Sequence, residues 1–176
     1  MSEPVVTDPA LDAIAVVVGA LQDAYRPGGV CPPQHPTTEV HFFAGEGPAT
    51  AAFDAHTDQP GCEAPFLWVR ATRRYRTRTL PEPAAGSSPC DLPRAIAVEV
   101  GVARCAVTAE TPTWAEYEAE AVLSLEDSWR IEAALCATAK RLRGELFLDV
   151  TTDPIEPYGP EGGILAWTAL LYIQFA

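Results

Sequence analysis

The chain has 176 residues, enough for one domain with its own core, and 48% of them are apolar. A formal charge of −12 argues against tight wrapping of nucleic acid, because phosphate neutralisation needs a basic face. DNA could still pass such a protein without sticking. Five cysteines, an odd number with no CxxC pair, exclude a dense disulfide scaffold and point to free thiols in a reducing compartment.

The N-terminal segment begins acidic and has no basic region, so it does not read as a signal peptide. Thr7-Asp8-Pro9 predicts a helix start: a polar cap followed by proline in the first turn. Leu11, Ile14, Val18, Leu21 and Tyr25 then form one apolar stripe at helical spacing. Arg26-Pro27-Gly28-Gly29 ends the helix. The apolar run from Ile14 to Leu21 is too short to span a bilayer.

From residue 26 to 65 the periodicity is poor, and the segment reads as a long irregular arm. Within it, Val40-His41-Phe42-Phe43 could make a short strand and Ala49–Phe53 a helical turn. Phe66–Thr79 predicts a strand that turns from apolar to basic, with Arg70, Arg73, Arg74, Arg76 and Arg78 in its second part. Simple alternation puts Arg70, Arg74, Arg76 and Arg78 on one face. Residues 80–93 predict a flexible Pro/Gly/Ser-rich connection.

Arg94–Val107 predicts a strand with Ile96, Val98, Val100 and Val102 on one face and Ala97, Glu99 and Ala103 on the other. Thr113-Trp114-Ala115-Glu116 is a capping box. It opens a helix running to about Arg143, with Tyr117, Ala121, Leu125, Ile131, Leu135 and Leu142 as its apolar positions. That stripe shifts near Asp127-Ser128. Lys140, Arg141 and Arg143 suit the negative end of the helix dipole, and Gly144 follows. Leu146–Thr151 predicts a short strand, Asp153 to Gly163 a turn region, and Ile164–Phe175 a final alternating strand.

The expected fold is therefore a single α+β domain over 1–176. An antiparallel or mixed sheet of four to five strands packs against two helices, in the order α-β-β-α-β-β, with long Pro-rich loops.

Motifs for chemistry are scarce. The chain has no Walker or Rossmann glycine signature, and Gly45-Glu46-Gly47 and Gly159–Gly163 carry acid where a phosphate would sit. His35, His41 and His56 fall in the irregular segment beside Cys31, Asp54, Asp58 and Cys62, at spacings that match no short metal motif. There is no GxSxG elbow; Ser87, Ser88, Ser124 and Ser128 have no nucleophile context. No catalytic residue, cofactor or metal ligand is expected. The unusual feature is the arginine strand. It reads as a solvated face paired across strands with residues such as Glu99, as a subunit interface, or as a strip facing passing DNA.

Three features together resemble the tail terminator proteins of long-tailed bacteriophages. They are the order of helices and strands, beginning with the helix at Leu11-Asp12-Ala13-Ile14; the acidic then apolar approach Cys62-Glu63-Ala64-Pro65-Phe66-Leu67-Trp68-Val69; and the glycine turn and aromatic-rich closing strand from Gly159 to Phe175. The resemblance implies a structural virion protein in the neck of the particle. Its subunits would form a ring, a hexamer in that family's manner, at the head-proximal end of the tail tube. The ring would stop tube polymerisation and present a surface to the head–tail connector or stopper protein, with DNA passing through its lumen. Other neck or secretion-apparatus components, and a small-ligand domain or enzyme with a pocket between sheet and helices, are the competing expectations.

Overall fold

The computed structural model describes residues 8–29, 33–45, 53, 64–85, 89–107, 110–144, 146–161 and 163–176. In chain order these form α1 (Pro9–Tyr25), β1 (Val40–Ala44), β2 (Phe66–Arg76), a short 3-10 turn (Pro89–Asp91), β3 (Arg94–Cys105), α2 (Trp114–Leu142), β4 (Phe147–Thr152), β5 (Glu156–Glu161) and β6 (Ile164–Phe175). The class is α+β: among the described residues, two long helices and a six-stranded mixed sheet. Strand order is β1-β2-β3-β6-β4, with β5 pairing the other end of β6. Among the described strands only the β1–β2 pair is parallel.

The sheet exceeds the four to five strands expected, and three strands instead of two lie on each side of α2 along the chain. The additions are β1, in the poorly patterned segment, and β5, where a turn was expected. Pro157 and Pro160 disguise β5, yet proline is tolerated on a strand at a sheet edge. Pro157 sits opposite Trp167, and Pro160 falls within a register shift between Tyr158 and Glu161. β2 ends at Arg76, short of the Thr79 expected: the Thr77 amide still donates to the Pro93 carbonyl, but Pro93 has no N–H to return the bond. The Thr77 hydroxyl lies within hydrogen-bond distance of the Thr79 and Glu82 carbonyls, which it shares as acceptors.

Both helices start where the sequence places them. Asp8 accepts from the Ala10 amide at 3.1 Å, and Thr113 and Glu116 exchange the two bonds of the capping box. On one face of the sheet, Leu67, Val69, Val98, Val100, Val102, Leu171, Ile173 and Phe175 are fully buried. They pack beneath Ala13, Val17, Leu21 and Tyr25 of α1 and Ile131, Leu135 and Leu142 of α2. The alternation read in β3 and β6 produces this layer directly.

The second face lies away from α1 and α2, but Phe66, Trp68, Ala95, Ala97, Tyr172 and Gln174 are buried there too. Chain segments seal it. Gln174 donates to the Thr77 carbonyl, the Tyr172 hydroxyl donates to Asp153, and Phe53 meets Phe66 edge-on. Trp68 lies flat over its cross-strand neighbour Gly101, where an added Cβ would fall 2.2 Å from the indole.

Candidate assembly surfaces

The arginines do not share the face that simple alternation assigns. Arg70 pairs with Glu99 and Ala71 with Val98, but Thr72 is skipped and Arg73 pairs with Ala97. This bulge reverses the alternation downstream. Arg70 and Arg73 therefore lie on the second face, while Arg74 and Arg76 turn to the helix side. Arg78 lies beyond the strand altogether.

Each arginine then meets different partners. Arg70 is half-buried and bonds Glu99 at 2.5 Å, while the Trp68 indole donates to the other oxygen of the same carboxylate. This is the cross-strand pairing with Glu99. Arg73 is exposed, its guanidinium 4.8 Å from the Tyr75 ring centroid. Arg74 pairs with the α1 cap Asp8, whose carboxyl is held below its usual range first by that bond. Arg76 donates to the carbonyls of Cys90 and Leu92. Arg78 and Arg94 are exposed and form no ion pair among the described residues. Because Arg76 and Arg94 are cross-strand neighbours, Arg73, Arg74, Arg76, Arg78 and Arg94 gather at one end of the sheet. Asp8, Glu82 and Asp91 only partly offset them, leaving a positive end on an acidic chain.

The opposite end is built by α2. Its anchor is Asp127, buried against Arg104 of β3 through Nε at 2.5 Å and Nη2 at 3.2 Å, with Arg130 Nη1 at 3.6 Å. The Tyr25 hydroxyl donates to the Asp127 carbonyl, and burial pushes its own ionisation well above the usual range. Arg104 lies one residue from the end of β3, so the helix N-terminal to this anchor soon runs out of sheet to cover. Ser124 still accepts from the Trp167 indole, and Glu120 accepts from the Val107 amide. Beyond that, the large side chains of the helix are exposed.

Tyr117, Ala121 and Leu125 consequently do not pack on the sheet as their spacing suggested. Leu125 is 66% exposed, Trp114 83%, Val122 61% and Trp129 55%. Trp114, Val122, Leu125 and Trp129 fall on the side of α2 away from the sheet, in one stripe with Glu118. From Cys105 to Trp129 there is no lysine or arginine, while Glu110, Glu116, Glu118, Glu120, Glu126 and Asp127 are all acidic.

A groove of about 580 Å3 runs between α2 and the β4–β5 connection, lined in part by Ser128, Glu132, Cys136, Asp153 and Trp167. On the second face the Tyr172 hydroxyl donates to Asp153 at 2.6 Å, and burial followed by this bond raises Tyr172 to about 12. His41 stacks on Phe66 and its Nε2 lies 3.4 Å from Glu39, while His35 sits in a left-handed backbone conformation. His56, Cys31, Asp54, Asp58, Cys62, Ser87 and Ser88 lie outside the described residues. Among the described residues no group of three potential ligands gathers for a metal. No helix there is long and apolar enough to cross a membrane.

The cysteines depart from the expectation of free thiols. Cys90 and Cys136 are free and exposed, but Cys105 is disulfide-bonded to a partner outside the described residues. The partner is distant in sequence and therefore invisible to spacing.

The chain matches no protein-family model and no curated protein.

Proposed function

We propose that this protein is a structural subunit that acts by assembling with other protein chains, in the manner of the phage tail terminators it resembles. On this reading it forms a ring at the head-proximal end of a tail tube. It halts tube growth and offers a surface to the head–tail connector or stopper. A hexamer is the size that the resemblance implies. The acidic chain is suited to lining a channel through which DNA passes without binding.

The observation that carries this reading is the outward stripe of α2. Trp114, Val122, Leu125 and Trp129 form a run of large apolar side chains left in water. Contiguous exposed patches of this kind mark sites of protein–protein contact, and tryptophan is the residue most enriched at their energetic centres. The test is mass in solution by light scattering and native mass spectrometry over a concentration series, with negative-stain imaging. Closed rings support the reading; a monomer at every concentration, alone and with a tail-tube protein, counts against it.

The groove beside α2 favours a second reading, a small-ligand domain. It would be supported by saturable binding of a small molecule that Glu132→Ala abolishes.

A further inference from the structure

The two exposed surfaces complement each other in chemistry and lie at opposite ends of the molecule. Resting on the assembly reading above, we propose that the outward stripe of α2 docks on the arginine end of the sheet of a second copy, head to tail. Trp114, Glu118, Val122 and Leu125 would meet Arg73, Arg78 and Arg94.

Chemistry selects this partner. The stripe offers tryptophan faces and carboxylates in a stretch without a basic residue until Arg130. The arginine end offers exposed guanidinium groups, which pair with carboxylates bidentately and stack on aromatic rings. A chain of net charge −12 repels its own copies over most of its surface. Its positive end is the place where an acidic helix of another copy is attracted and where register is fixed.

Geometry excludes the internal alternative. β3 runs from Arg94 at the arginine end to Cys105 beside the projecting helix. At about 3.3 Å per residue that separates the surfaces by about 36 Å. The helix cannot fold back on its own arginines while Asp127 is anchored to Arg104. Two different surfaces on one subunit give a heterologous contact, which repeats around a ring when the rotation closes.

The experiment uses two exposed-site variants of the full chain, an arm variant (Trp114→Ala with Glu118→Gln) and an end variant (Arg78→Glu with Arg94→Glu). Val122→Asp and Arg73→Glu serve as an independent second pair. Circular dichroism and melting confirm that each folds like the wild type. Each variant alone is expected to raise the half-assembly concentration at least about 30-fold, as the loss of an interface hot spot does. Mixing arm and end variants leaves one intact surface on each, so a one-to-one heterodimer and nothing larger should appear in native mass spectra. Added salt should weaken it.

If wild type and variants assemble alike, this docking is wrong and the assembly reading stands on another surface. If both variants are monomeric but the mixture forms no heterodimer, the head-to-tail pairing is overturned. If the wild type itself is monomeric at every concentration, alone and with a tail-tube protein, both readings fall together.

Discussion

From Asp127 to Leu142, α2 lies on the sheet with Ile131, Ala134, Leu135, Thr138 and Leu142 buried, whereas in the half from Trp114 to Glu126 Trp114, Tyr117, Val122 and Leu125 stand in water. Both halves have helical sequences, and neither contains glycine or proline. The difference is what lies beneath them. The C-terminal half has β3, β6 and α1 to pack on, and Arg141 bonds Asp23 of α1 at 2.6 Å. The N-terminal half has its capping box and a few contacts to the chain end of β3. Packing, rather than propensity, supplies most helix stability in proteins. The projecting half is thus the part of the fold with the most to gain from a partner.

The contrast can be broken most severely at the anchor. Asp127→Ala removes the carboxylate shared by buried Arg104 and Arg130, and is expected to cost about 4 kcal/mol in urea unfolding. An effect under about 1 kcal/mol would mean that the pair does not pin the helix. Leu135→Ala, within the packed half, should cost about 3 kcal/mol by the same measurement.

The projecting half should respond differently. Thr113→Ala removes the cap and is expected to lower local helix stability by about 1 kcal/mol. It should speed hydrogen exchange of amides 114–122 while leaving those of 130–142 unchanged. Leu125→Ala should change global stability by less than about 0.5 kcal/mol, since its side chain is already in water. Equal losses at Leu125 and Leu135 would show that the two halves are packed alike.

Much of the frame was legible along the chain. Asp8-Pro9 and the Thr113–Glu116 box fix both helix starts, because caps act over three residues. The alternation of Ile96, Val98, Val100 and Val102, and of Leu171, Ile173 and Phe175, identifies the layer beneath the helices. The shift of stripe at Asp127-Ser128 was the one local sign that α2 changes its surroundings there.

The surfaces were less legible. Sequence alone picked out the arginine-rich strand, but a single skipped residue, Thr72, divided its arginines between two faces. Bulges are set by pairing with another strand, which no period in β2 records. Trp114, Val122 and Trp129 carry no signal of exposure, because an apolar helical residue reads alike whether or not a sheet lies under it.

The sequence by itself determined where α1, α2, β2, β3 and β6 begin, which faces of β3 and β6 are apolar, and that charge is strongly negative with arginine concentrated after Val69. These follow from interactions among residues a few positions apart. Only the tertiary structure decided that Arg70 is spent on Glu99, that Arg73, Arg78 and Arg94 converge at one end, that Cys105 is bonded, and that α2 outruns the sheet. Each of these depends on the register and length of elements distant in the chain. Residues far apart in sequence meet only once those registers are set.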